Sequence, residues 1–159
     1  MPKKTSVKME NKNLKALITA FKNLPVARVG ILQAKNQRPD DDDGGNGLTN
    51  VELGTLMEFG GSTMPARSFL RMPIAEKLDE FLEDRGAFEK ENIKQVIAEK
   101  SLNVWMGKVA ATAADTVAEA FKTGGFGQWK PSDMKYKKNK QTLVEEGFLR
   151  DSVGWDIKE

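Results

Sequence analysis

Apolar positions along the chain fall into a few periodic runs, separated by glycine, proline and charge. Leu14, Leu17, Ile18 and Phe21 recur at helical spacing and predict an amphipathic first helix, which Pro25 stops. Val26 to Leu32, rich in Val and Ile, reads as a strand. Thr49 and Glu52 have capping-box spacing. They predict a short helix with Val51, Leu53, Leu56 and Met57 on its apolar side, ended by Gly60-Gly61. After a loop at Ser62–Arg67, Ile74, Leu78, Phe81 and Leu82 share one face of a helix that follows Pro73. The longest feature is a stripe through Leu102, Trp105, Val109, Ala113, Val117 and Phe121. It predicts one helix over about residues 88–122, with Gly107 as an internal weak point and Gly124-Gly125 as the stop. Gly147–Ser152 reads as a turn and a short helix. Val153, Trp155 and Ile157 then alternate with Gly154, Asp156 and Lys158, a half-buried strand suited to pair with the first. The sum is an α+β fold: several helices, one of them long (about 88–122), on a small antiparallel sheet.

Composition narrows the class. A length of 159 residues fits a single domain over 1–159. Within it, residues 1–10 read as a flexible tail, 34–47 as a mobile acidic loop and 124–141 as a Gly/Lys-rich connector. No apolar run approaches the ~20 residues that span a bilayer, so no membrane association is expected. Met1-Pro2-Lys3-Lys4 is basic but no apolar segment follows, so no secretory leader is expected and synthesis in a cytoplasm is. The chain has no cysteine and no histidine. That removes disulfides, thiolate nucleophiles and the commonest metal ligands, and the side chain that titrates nearest neutral pH. No catalytic residue, no metal and no cofactor is therefore expected.

The net charge of +2 is unevenly spread. Residues 1–22 carry six lysines against one glutamate; residues 130–140 carry five lysines against one aspartate. Acid gathers at Asp40–Asp43 and along Glu76–Glu91. Each run is a solvated face or tail on the simplest reading; complementary charge at subunit contacts, or proximity to DNA, is the sharper one. Asp40–Asp43 fails the calcium-loop template in both frames, because the glycine and the twelfth-position glutamate never fall into place together. Gly124-Gly125-Phe126-Gly127 lacks the Lys-Ser/Thr ending of a phosphate loop. Lys130, Lys135, Lys137, Lys138 and Lys140 around Tyr136 fit either a flexible basic loop or DNA-proximal backbone contacts.

The segment from Gly54 to Arg71 has its own physical logic. A helix ends at Phe59-Gly60, Pro65 stiffens the turn, and Phe69 and Leu70 supply an apolar anchor. Arg67 and Arg71 lie one helical turn apart and suit a shared face, with Glu58 able to pair with either. From the residues alone this is a capped helix with a salt bridge.

The same segment resembles a motif of the tail-completion, or head–tail joining, proteins of tailed bacteriophages: His-Glu-Phe-Gly, a short linker, then Pro-Ala-Arg-Pro-Phe-Leu-Arg. The matching residues are Glu58, Phe59, Gly60, Pro65, Ala66, Arg67, Phe69, Leu70 and Arg71. Met57 stands in place of the His and Ser68 in place of the second Pro. Leu143–Val153 is similar to the family's Leu-Ile-Asp-Thr-Gly-x-Leu-Arg-x-Ser-Ile, keeping Gly147, Leu149, Arg150 and Ser152. The likeness covers residues 26–71 and 143–157. It implies a virion structural protein of the neck or tail end, made in the host bacterial cytoplasm. It further implies a ring-shaped homo-oligomer, often a hexamer, that meets the head–tail connector and the tail-tube or tail-terminator proteins, with DNA in the lumen. The matching residues, with Gly147, Leu149 and Arg150, become candidate subunit or partner contacts. A tail terminator or minor tail protein is the neighbouring alternative. A nucleic-acid-binding module using the lysine runs is an alternative of another class, and an accessory hydrolase ranks last.

Overall fold

The structure is a computed structural model that describes residues 11–22, 24–37, 48–62, 64–130 and 147–158. The proposed tail 1–10, most of the acidic loop and the connector beyond Lys130 lie outside the described residues, and with them Lys135, Lys137, Lys138 and Lys140. In chain order the elements are α1 (Asn11–Lys22), β1 (Val26–Ile31), a 3-10 turn (Gln33–Lys35), α2 (Asn50–Phe59) and α3 (Arg71–Asp84). They continue with α4 (Lys90–Glu99), α5 (Asn103–Thr123), α6 (Phe148–Ser152) and β2 (Val153–Lys158). The expected α+β fold is the observed one: six helices and a two-stranded antiparallel sheet among the described residues.

β1 and β2 pair as the alternation predicts, from Val26 opposite Lys158 to Ile31 opposite Val153. Side chains of one pleat face share a side of the sheet. Ile31 and Val153 pack into the core from that side, while Arg28 and Asp156 form a two-pronged ion pair on the exposed opposite side. That contact holds the Asp156 carboxyl below its usual range.

α5 is the central beam, 21 residues and about 31 Å long. Its inward stripe of Ala110, Ala113, Val117, Ala120 and Phe121 is buried, packed against α3 and both strands. Two threonines also lie inside, where the Thr116 hydroxyl donates to the Thr112 carbonyl at 2.8 Å. Phe121 meets Phe69 and Trp129 at ring distances of 5.4 and 5.7 Å.

Two expectations need correction. The helix expected over about 88–122 is two helices. Lys100 adopts a left-handed backbone, φ 52°, and the Ser101 hydroxyl accepts from the Asn103 amide at 3.1 Å, restarting the helix. The break turns α4 so that Val96 packs with Ala20 and Leu102 in a second small core under α1. Gly107, the expected weak point, lies unbroken inside α5 beside the Trp155 ring. The start of the connector is a built turn. Gly125 (φ 68°) has no room for a Cβ, which would sit 2.3 Å from the Trp129 indole, and this lets Trp129 fold back into the core.

The second correction concerns α1 and α2, whose apolar sides were expected at Leu14, Leu17, Ile18 and Phe21 and at Val51, Leu53, Leu56 and Met57. α1 buries Ala16 and Ala20 and packs Leu17 on the second small core, leaving Leu14, Ile18 and Phe21 exposed. α2 buries Asn50, Gly54 and Glu58, half-buries Leu53 and Met57, and exposes Val51, Leu56 and Phe59.

Candidate docking site around Glu58

α2 begins with the predicted capping box. The Thr49 hydroxyl accepts from the Glu52 amide, and the Glu52 carboxylate accepts from the Thr49 amide at 2.8 Å. Asn36 adds to this end, since its side-chain oxygen accepts from the Val51 amide at 2.9 Å. The helix stops at Gly60, φ 75°, ψ −178°, where a Cβ would lie 2.7 Å from the Ala66 nitrogen. Only glycine fits so close a return of the chain. The Arg67 amide then donates to the Met57 carbonyl at 2.7 Å, pinning the loop against the end of α2.

Glu58 is the hub. Its side chain is 7 % exposed and accepts four hydrogen bonds. They come from the Ser68 hydroxyl (2.7 Å), the Leu70 amide (3.0 Å), the Arg71 amide (3.1 Å) and Arg71 Nε (2.9 Å). The two amides are unpaired donors at the start of α3, so a carboxylate from one helix caps the next. Ser68 completes the cap by accepting from the Met72 amide at 3.0 Å. Burial alone pushes the Glu58 pKa up; the bonds from Ser68, Leu70 and Arg71 together outweigh it, so the group sits below its ordinary value. Ionised and with its oxygens engaged, this carboxylate is a structural clamp and a poor proton carrier.

The two arginines part company, contrary to the shared face expected of them. Arg67 is buried, and its Nε donates to the Lys130 carbonyl at 3.1 Å. Arg71 is 63 % exposed at its side chain, and its guanidinium lies 4.4 Å above the Phe59 ring. Of the partners open to Glu58, Arg71 is the one the structure pairs with it.

The two sequence motifs meet in space. Phe69 and Leu149 are both buried in the main core. A Cβ on Gly54 would touch Ile31 at 2.7 Å, Phe69 at 3.3 Å and Leu149 at 3.4 Å, so the bare glycine lets α2 settle onto both. Gly147 starts α6 with φ 84°, and Arg150 pairs with Asp151 at 2.7 Å.

The candidate contact residues therefore divide. Glu58, Arg67, Phe69, Gly147 and Leu149 are buried and shape the unit from within. Gly60, Leu70 and Arg150 are half-buried. Phe59, Pro65, Ala66 and Arg71 form an exposed edge, with the Arg71 guanidinium over the Phe59 ring; Val51 and Leu56 of α2 are exposed as well. Lys130 is exposed, and its carbonyl accepts from the buried Arg67. Sequence reasoning missed Ser68, the residue that departs from the resembling motif, although a hydroxyl three residues before a helical turn is a capping signal. It also missed Trp129, hidden in a glycine-rich turn. The chain matches no protein-family model, no curated protein and no solved structure.

Proposed function

We propose that this chain is a structural subunit of a tailed-phage virion, a tail-completion or neck protein that assembles into a ring and helps join the tail to the DNA-filled head. The reading rests on the resemblance of Glu58–Arg71 and Gly147–Ser152 to that family. The observation that carries it furthest is the edge made by Phe59, Pro65, Ala66 and Arg71. Phe59 is 62 % exposed, a large ring held outward at the end of a helix clamped at both ends. A rigid apolar and cationic edge of this kind suits protein contact, where aromatic and arginine side chains carry much of the binding energy. No chemistry needs to be supplied by the site: its carboxylate is spent on capping α3.

In this reading the buried half of the motif fixes the angle between α2 and α3, and the exposed half meets a neighbouring subunit, the head–tail connector or the tail-tube end. Electron microscopy of virus particles assembled without this protein tests the role. Separate tails and filled heads are the expected result; normal joined particles in its absence overturn it.

A further inference from the structure

α1 is held unlike any other helix of the fold. Each of the other five is tied to a neighbouring element by a hydrogen bond. Arg71 of α3 donates to Glu58 of α2, Lys108 of α5 to Asn92 of α4, and Lys35 to the Asp151 carbonyl of α6. Among the described residues α1 has no hydrogen bond or ion pair to the rest; its Thr19 hydroxyl donates to the Lys15 carbonyl within the same helix. Nor does α1 enter the main core. It rests on a groove lined by Val96 of α4 and by Leu102, Trp105 and Met106 at the start of α5, which it fills with Leu17 and Ala20. The groove wall is fixed without α1, since the Trp105 indole donates to the Ala87 carbonyl at 2.9 Å.

We infer that α1 is an exchangeable arm: the α1 of one copy of this chain occupies the α4–α5 groove of another copy. The inference stands apart from the virion reading, since it uses only how α1 is held. Three observations carry it. First, α1 leaves its groove without stranding a polar group, because its contact there is apolar. The costly step in moving a packed element, a buried donor or acceptor without a partner, does not arise. Second, the groove cannot stay bare. Val96 and Leu102 are buried beneath α1, and the sides of Trp105 and Met106 join them. Exposing them to water is unfavourable, so a departing α1 must be replaced. The α1 of a second copy restores the same contacts residue for residue, which makes exchange a low-cost route to association. Third, the tether is short. Asn23, Leu24 and Pro25 are all that separate Lys22 from Val26, and three residues span at most about 11 Å. Pro25 also disfavours helical backbone at Leu24. The far end of the tether is anchored, because β1 is paired with β2 from Val26 onward. A short hinge on a fixed strand leaves few ways of folding the arm back on its own body, the setting in which arms are traded between copies.

The chain has no cysteine, so new thiols report only where they are placed. Ala20→Cys and Val96→Cys put one on each side of the buried α1 contact. The two single variants are unfolded in urea, refolded together at high concentration, checked by circular dichroism, oxidised mildly and run on a non-reducing gel. The expected result is a covalent dimer at least tenfold more abundant in the mixture than in either variant alone. Its absence, while the double variant Ala20→Cys/Val96→Cys closes its own disulfide and runs as a monomer, overturns the inference: α1 then stays on its own copy. If the buried substitutions unfold the chain or the thiols do not react, light scattering on the unsubstituted protein decides. Its solution mass should exceed that of one chain, and should fall to that of one chain when a short Gly-Ser stretch is inserted after Lys22, since a slack tether lets each arm close on its own body. The same mass for both proteins, monomer or oligomer alike, overturns the inference.

Discussion

α5 and α2 sort their residues in opposite ways. α5 buries Val117, Ala120 and Phe121 and turns polar residues such as Asp115 and Lys122 to solvent. α2 buries an asparagine, a glycine and a glutamate and turns out Val51, Leu56 and Phe59. The hydrophobic effect within the chain accounts for the buried apolar stripe of α5. On α2 it accounts for Leu53 and Met57, which pack against the main core, while polar contacts hold the two ends of the helix. Thr49 and Asn36 hold the N-terminus, the Arg67 amide donates to the Met57 carbonyl, and Glu58 ties the C-terminus to α3. Gly54 lets the middle of the helix approach Ile31, Phe69 and Leu149 closely, with Leu53 and Met57 packed on the same core. A helix fixed by polar contacts is free to spend its apolar residues elsewhere.

The contrast is sharpest where a substitution removes the feature that holds each helix. Phe121→Ala strikes the α5 core, where the ring is wholly buried against Phe69 and Trp129. Loss of a buried phenyl ring costs about 3–5 kcal/mol. Against a usual total of about 5–15 kcal/mol, that brings the protein close to unfolding at room temperature. Urea denaturation followed by circular dichroism measures it; a loss below about 1 kcal/mol contradicts the assignment of α5 as the beam.

Glu58→Gln comes next and strikes the polar clamp. It keeps the shape but removes the charge from the α3 N-terminus, leaving an amide nitrogen facing donors. The expected loss is about 1.5–3 kcal/mol, the range for hydrogen bonds to a charged group. The pH profile gives a second reading. In the folded chain the Glu58 pKa lies below the ordinary value of 4.5 that the unfolded chain shows. The unfolded state therefore takes up the proton first as pH falls. The stabilisation is complete above about pH 4.5 and is lost as pH drops through the lower folded value. Wild-type stability should fall more steeply below pH 4.5 than that of Glu58→Gln. Parallel profiles would show that the clamp is carried by shape alone.

What was legible in the sequence follows the same division. The α5 stripe, the two strands and their pairing were readable because burial within the chain imposes a period of 3.6 or 2. The capping box at Thr49 and the stop at Gly60 were readable because local chemistry sets them. The break at Lys100 was not, because the apolar period runs through it and only the packing of Val96 under α1 demands a turn. The burial of α1 and α2 was misread for a different reason. A periodic pattern says which residues share a face and not whether the partner of that face lies in the same chain. At the candidate site, Glu58 was singled out correctly, yet its work as a cap for α3 needs the fold of the intervening loop. The separation of Arg67 from Arg71 needs it too, since spacing in sequence implies a shared face only within one helix.

The smallest expected effect on folding is the most informative about α2. Phe59 and Phe69 lie in the same short segment, ten residues apart, and one is 62 % exposed while the other is buried. Phe59→Ser removes a ring that touches chiefly the Arg71 guanidinium, an exposed cation–π contact worth about 0.5–1 kcal/mol. The helix end, the glycine turn and the Glu58 clamp do not depend on it. Thermal unfolding of the isolated variant should therefore stay within about 1 kcal/mol of wild type. Phe69→Ser, by contrast, should behave like Phe121→Ala. If Phe59→Ser is as damaging to the isolated chain as Phe69→Ser, the outer end of α2 is part of the core. If it folds normally, the Phe59 ring is dispensable to the fold, as its outward position at the end of a capped helix requires.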